Sequence, residues 1–241
     1  MTEETKKHAL LAASSSERWL ACPPSARLTE NYADDESSYA AEGTLAHSIA
    51  ESKLQLYLKK TRKKVNCDDA EMDEMTDMYV QFITEIYEAA KQNCDDPLLL
   101  TEQKVDFSRF VPEGFGTADT ILVSDGIMHL VDFKYGKGVP VYAEDNSQLK
   151  LYALGALEML GFLYDITVIR MTIFQPRLDN TSTTEISVWR FGRRVEINGS
   201  VGYGAVGGRI EAARHSVADG EPEYCEVLVG RGQSNSDGGQ R

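Results

Sequence analysis

The stretch "GTADTILVSDGIMHLVDFKYGKG", residues 116–138, sets Asp119, Asp132 and Lys134 in a pattern that a tight hairpin would bring together. Two carboxylates and an amine can bind a divalent cation and move protons to and from water. Asp125-Gly126, between two apolar runs, reads as a two-residue hairpin turn. Ser124 then faces Ile127, and Asp119 lands opposite Asp132. Strand alternation puts Asp119 on a face with Ile121 and Val123, and Asp132 on the same face with Met128, Leu130 and Lys134. Opposed Cβ atoms in such a pair stand about 4.5–5.5 Å apart, where like charges destabilise a sheet. Burial worsens the repulsion by lowering the local dielectric. One carboxyl could take a proton, Lys134 could neutralise the pair, or a divalent cation could sit between them. Lys134 supplies one positive charge against two negatives, whereas a hard cation supplies two and satisfies several oxygen lone pairs. A surface hairpin whose acids face water is the plain alternative, and a bulge would move the pair out of opposition.

Other residues fit the same chemistry. "EGTLAH" places His47 inside a helix expected over 41–60, with Glu51 four residues on along the same face. Imidazole beside carboxylates makes a ligand set suited to Mn²⁺ as well as Mg²⁺. "NSQLKLYA" sets Gln148 and Tyr152 four apart near a helix start, where both can hydrogen-bond a phosphate or base and the helix dipole favours anions. Ordinary packing with Tyr152 in the core is equally open. Lys134 and Lys137 stand among glycines; a lysine beside a metal-bound carboxylate can orient or deprotonate water and stabilise charge developing on phosphate.

Together these stretches resemble the PD-(D/E)XK nuclease superfamily, in its RecB-like branch. The branch's G-x-x-x-H is matched by Gly43 to His47, its G-x-x-D by Gly116 to Asp119, its D-x-K by Asp132 to Lys134, and its Q-x-x-x-Y by Gln148 to Tyr152. "SSSERWLACPPSARL" and "YAAEGTLAH" look like the N-terminal region of a phage- or prophage-encoded family within that branch, and the resemblance covers residues 14–190. It implies a restriction-endonuclease-like core and Mg²⁺- or Mn²⁺-dependent hydrolysis of DNA phosphodiester bonds, on single or double strands, in phage replication, recombination or processing. By the same resemblance His47, Asp119, Asp132 and the Phe133 carbonyl hold the metal. Lys134 assists the attacking water, and Gln148 and Tyr152 position substrate; Lys137, close by in the same stretch, is a further candidate substrate contact. Phage recombination or replication proteins are the implied partners; some relatives form rings, so a homo-oligomer is open, but no oligomer interface can be read from this sequence. Some RecB-like nucleases hold an iron–sulfur cluster through one early and three late cysteines. Cys22 and Cys225 match the start of each group, but no cysteine follows Cys225 and a cluster needs four thiolates. They read as remnant ligands, and no intact cluster is expected. A catalytically silent module that keeps the nuclease fold for DNA binding or assembly is the rival reading.

The elements that must position these residues can be read from hydrophobic periodicity. Short helices flank a Pro-Pro break within 14–30, and longer helices follow over 41–60 and 70–93. In the latter, Met75, Met78, Phe82, Ile86 and Ala89 form the expected core stripe. Strands are expected at 98–107, 116–123 and 127–134, then a helix at 144–160, strands at 165–176 and 183–191, and a helix at 209–218. The order gives an α/β (mixed α+β) fold, a central mixed sheet flanked by helices with an N-terminal helical region. Residues 1–13 read as a flexible N-terminus and 14–191 as the nuclease domain, with a helical insertion at about 60–95. Residues 192–241 read as a divergent C-terminal segment, disordered from about 228. Gly202, Gly204 and Gly207 form a G-x-G-x-x-G, but a dinucleotide site needs a βαβ unit around it, so the stretch reads as a connection.

Composition bounds the rest. With 42% hydrophobic and 26% charged residues among 241, the chain has the make-up of a globular protein. A net charge of −13 is not that of a typical nucleic-acid binder. Phosphate contact would have to rely on divalent cations or on locally clustered Lys and Arg. No apolar run approaches the roughly 20 residues that span a bilayer, and the start lacks a secretory apolar core. The expectation is no membrane partner, the cytoplasm of a bacterial host, and four reduced cysteines.

Overall fold

The Asp125-Gly126 turn sets the register of the sheet. Both residues take positive φ, 47° and 73°, the backbone that a two-residue hairpin turn of matching twist requires. It joins β2 (Phe115–Ser124) to β3 (Ile127–Phe133), antiparallel, with Ser124 opposite Ile127 and Thr120 opposite Val131. The structure, a computed structural model, describes residues 9–28, 38–62 and 65–188. β1 (Leu98–Asp106) pairs antiparallel with β2, β4 (Val168–Gln175) parallel with β3, and β5 (Asn180–Ser187) antiparallel with β4. The five strands lie in the order β1-β2-β3-β4-β5. The parallel step needs a crossover, and the helix Ser147–Leu160 provides it. A mixed sheet flanked by helices is what the sequence led us to expect.

Around the sheet stand α1 (Ser16–Ala21), α2 (Ser25–Leu28), α3 (Ser38–Tyr57), α4 (Ala70–Lys91) and α5, the crossover helix. The break between α1 and α2 falls at Pro23-Pro24, as proline chemistry dictates. Helix α5 starts at Ser147 rather than 144. Asp145 takes a left-handed φ of 54°, and the Asn146 side chain accepts the Leu149 N–H at 3.0 Å as an N-cap. β5 begins at Asn180 rather than 183, because the left-handed Asp179 (φ 49°) closes the β4–β5 connection and lets Gln175 pair with Asn180.

The core has two sides. Ile121, Val123, Met128, Leu130, Ile169, Met171 and Ile173 face α5, with the buried Trp19 of α1 in the same cluster. Leu122, Val131, Phe133 and Phe174 face α3 and α4, against Ala46, Ile49, Ala50, Leu54, Met72, Tyr79 and Ile83. The buried stripe of α4 is Met72, Thr76, Tyr79 and Ile83, with Met75, Phe82 and Ile86 beside it; Met78 and Ala89 fall outside and are exposed. Polar Thr76 can occupy that stripe because its hydroxyl donates to Met72 O at 2.7 Å and accepts from Lys53 Nζ at 2.9 Å. Lys53 also reaches Asp73 and Asp77, fixing α3 to α4. Arg177, just past β4, stacks 4.5 Å from the Tyr135 ring centroid and pairs with Glu42 of α3 and Glu71 of α4. Helix α3 is therefore held at two points, which matters for the residue it carries.

No helix among the described residues is long and apolar enough to cross a membrane. The C-terminal segment with its glycine stretch and Cys225, the helix expected at 209–218, and residues 1–8 lie outside the described residues.

Two helical glycines have opposite surroundings. A Cβ on Gly43 in α3 meets nothing within 4 Å, whereas one on Gly155 in α5 meets Asp106 O and Val105 Cβ at 3.0 Å. Gly43→Ala should raise unfolding free energy by roughly 0.5–1 kcal/mol, the helix-propensity difference. Gly155→Ala should lower it by about 1–3 kcal/mol through overpacking against the β1 backbone. Urea denaturation of the two variants checks both signs.

Candidate metal centre

At the end of the β2–β3 hairpin away from the turn, the ladder stops one pair short of Asp119 and Asp132. The Phe133 N–H donates instead to Asp119 Oδ2 at 2.7 Å, a side chain standing in for a ladder bond. Asp132, 2% exposed, lies on the α5 face as alternation demands. Its Oδ1 accepts from Gln148 Nε2 at 3.1 Å, and its Oδ2 lies 2.9 Å from Lys134 Nζ. That last contact is an ion pair without hydrogen-bond alignment, so Asp132 Oδ2 is buried with no aligned donor. Burial pushes the Asp132 carboxyl above its ordinary range, with Asp119 adding to the push and Lys134 opposing it. Burial works to lower Lys134, but Asp132 and Asp119 outweigh it, and the amine is held above its usual value. Lys134 is thus an ammonium at neutral pH, a donor of charge and hydrogen bonds rather than a base.

The second half of the site comes from α3 and β1. His47 Nδ1 lies 3.3 Å from Asp119 Oδ1 and 3.9 Å from Glu102 Oε1. Glu102 is the residue the sequence reading did not single out. It sits in β1 at the position facing Asp119, between the paired Thr101–Thr120 and Gln103–Ala118, with a left-handed φ of 47°. Ligand atoms of His47, Glu102 and Asp119 all lie within 4.8 Å of one another. Burial raises the Glu102 carboxyl to about 7, helped by Asp119, Glu51 and Asp132 and opposed by His47. Burial acts to lower His47, but Asp119 above all, with Asp132 and Glu102, lifts it to about 9. Phe133 links the halves. Its N–H holds Asp119, while its ring packs 5.2 Å from that of His47 and stacks at 4.6 Å on Tyr79, whose hydroxyl bonds Thr120 Oγ1 at 2.8 Å.

The other anticipated residues fall in different places. Gln148 reaches Lys134 and Asp132, and Tyr152, 6% exposed, meets Gln148 Nε2 through its hydroxyl at 3.2 Å. A Cβ on Gly116 would stand 2.7 Å from Tyr152 Cε1, so that glycine is what lets the ring seat. Lys137 is exposed on the segment after β3 and joins none of these contacts. Cys22 is an exposed free thiol at the end of α1, and Cys67 and Cys94 are free as well.

One imidazole and two carboxylates, with the buried Asp132 carboxylate beside them, fit a hard or borderline divalent cation. The pH dependence follows in sign. His47, raised in the folded state, contributes stability fully present below its ordinary pKa of 6.5 and lost as pH rises through about 9. Glu102, also raised, destabilises the fold as pH climbs from 4.5 through about 7. A divalent cation competes with those protons, so its binding strengthens over the same range. The rise in Tm on adding Mn²⁺ should therefore be larger at pH 8.5 than at pH 6, and should shrink in Glu102→Gln. Thermal unfolding with and without Mn²⁺ at the two pH values reads this; an increment independent of pH contradicts it.

A solved structure titled "Crystal structure of SSO0001" is similar over 66% of this chain and 89% of its own, at 15% identity and a TM-score of 0.24. That likeness is too slight to bear on fold or chemistry. At the level of sequence, the profile described as "Protein of unknown function (DUF2800)" matches residues 8–198, and the chain belongs to that family.

Proposed function

We propose that this protein is a Mg²⁺- or Mn²⁺-dependent deoxyribonuclease hydrolysing DNA phosphodiester bonds. The observation that carries the reading is the grouping of His47, Glu102 and Asp119, whose ligand atoms lie within 4.8 Å of one another, one residue along the chain from the Asp132–Lys134 pair through the Phe133 N–H that Asp119 accepts. The four-motif resemblance to RecB-like nucleases supports it, and two of its motif residues, His47 and Asp119, belong to that group.

His47, Glu102, Asp119 and Asp132 would hold the cation. When bound, a divalent cation polarises a phosphate oxygen and makes nearby water a better nucleophile. The chain's own residues do the rest. The Lys134 ammonium presents positive charge where negative charge grows on the phosphate in the transition state. Asp132, fixed from both sides, keeps the ammonium from swinging away. Phe133, packed on Tyr79, holds Asp119 and His47 at a constant separation. Phage DNA replication, recombination or processing is the setting the resemblance implies.

The net charge of −13 favours a second reading, a silent module of the same fold that binds DNA or protein without turnover. Incubation of purified protein with single- and double-stranded DNA and Mg²⁺ or Mn²⁺ separates the two. Cleavage by the wild type, reduced at least about 100-fold in Asp132→Ala and in Lys134→Ala, is the expected result. Equal background in all three proteins sinks the enzyme reading. Glu102→Gln should also lower the rate, with a higher Mn²⁺ concentration needed for half-maximal cleavage.

A further inference from the structure

Gln148 has no amide hydrogen left for a substrate. Its Oε1 accepts from Lys134 Nζ at 2.8 Å, and its Nε2 donates to Asp132 Oδ1 at 3.1 Å and to the Tyr152 hydroxyl at 3.2 Å. The amide stands one way round for a chemical reason: an ammonium cannot accept and a carboxylate cannot donate. With Lys134 Nζ 2.9 Å from Asp132 Oδ2, the three side chains close a ring. Tyr152 is buried, and its ring fills the space a Cβ on Gly116 would need.

We infer that Gln148 is a positioning residue, acting through Lys134 and Asp132 and not by contact with DNA, and that Tyr152 braces it from the packed side. This rests on the nuclease reading and revises what the family resemblance implies for the Q-x-x-x-Y pair. Three constraints act on the amide together. Helix α5 carries it over the β3 face, Asn146 fixes where that helix starts, and Ser147 ties the same turn to α1 through Ser16 Oγ at 2.6 Å. A side chain so placed sets where the ammonium points. It also fills one of the Asp132 oxygens, leaving the other turned toward Lys134 without an aligned donor.

Positioning and substrate contact predict different kinetics. Gln148→Met keeps length and bulk but removes all three hydrogen bonds. It should lower kcat about 10- to 100-fold, the usual range for residues that orient a metal site or its partners, while KM for DNA stays within about twofold. Tyr152→Phe, which removes one hydroxyl, should give a smaller change of the same kind. A raised KM at unchanged kcat in either variant overturns the inference, since that is the mark of a lost substrate contact. A readout free of turnover accompanies this. In protein with ¹⁵N-labelled lysine, the Lys134 ammonium should give a protected signal in the wild type, lost by exchange in Gln148→Met and weakened in Tyr152→Phe. Circular dichroism and thermal melts establish that each variant folds; should Gln148→Met fail to fold, Tyr152→Phe and Gln148→Glu carry the test. Gln148→Glu keeps an acceptor for Lys134 but sets a second carboxylate against Asp132, so kcat should fall there too. Absence of cleavage by the wild type removes the nuclease reading, whereas an unchanged Lys134 signal in folded Gln148→Met removes this one.

Discussion

A carboxylate that is 2% exposed stays an anion only if positive charge and donors surround it, and Asp132 imposes that demand on everything near it. The D-x-K spacing meets it with minimal chain. Residues two apart on a strand share a face, so Lys134 arrives beside Asp132 by alternation alone. The chain then crosses over that face as α5, because a parallel β3–β4 pair needs a crossover, and the helix brings Gln148 back onto both charges. Removing one partner of such a buried pair typically costs about 3–5 kcal/mol, mostly from stranding the other charge. Strand, crossover and helix start are thus tied together by one electrostatic requirement.

The sheet gives up regularity at the same place. Asp119 faces Glu102 on one neighbour and Asp132 on the other, and the pairing ladder lapses at both positions. Glu102 takes a left-handed backbone, which costs a residue with a Cβ about 1–2 kcal/mol. Asp119 replaces a backbone acceptor with its own carboxylate to hold the Phe133 N–H. Neither departure helps a sheet, and both bring acids toward His47. The ladders lapse at these two positions while their remaining pairs follow a regular register.

Much of this was legible in the sequence because local rules governed it. Asp125-Gly126 demands positive φ twice, which fixes the hairpin register and so the facing of Asp119 and Asp132 without tertiary information. Helices α3 and α4 follow from periodicity, and His47 from its place on α3. Glu102 was not legible, because the β1–β2 connection is too long for its length to set the register. Residues 107–114 are fastened instead by their own bonds, Phe107 N to Gly114 O at 3.0 Å and Gly114 N to Val111 O at 2.8 Å. The buried stripe of α4 is rotated from the expected one, since it includes Thr76 and Tyr79, each of which buries its hydroxyl with a partner. The role of Gln148 was hidden for a related reason. A sequence shows what an amide can bond, while only the packing of α5 on β3 shows that those bonds are already taken.

The acidity of the chain looks at odds with the anionic substrate proposed for it until the charges are placed. Lys53, Lys91, Arg109, Lys150, Arg170 and Arg177 each stand within 4.0 Å of a carboxylate, so much of the described positive charge is spoken for locally. At the site, Glu102, Asp119 and Asp132 face Lys134 and a His47 lifted to about 9. Three negatives against one permanent positive leave a deficit that lifts His47 to about 9, while burial first and the neighbouring acids second raise Glu102 to about 7. Protons and divalent cations compete for the same imidazole and carboxylate atoms. A cluster that binds protons this strongly is therefore one that a doubly charged ion can neutralise more completely. An ion held there would offset the two negative charges that Lys134 leaves unbalanced.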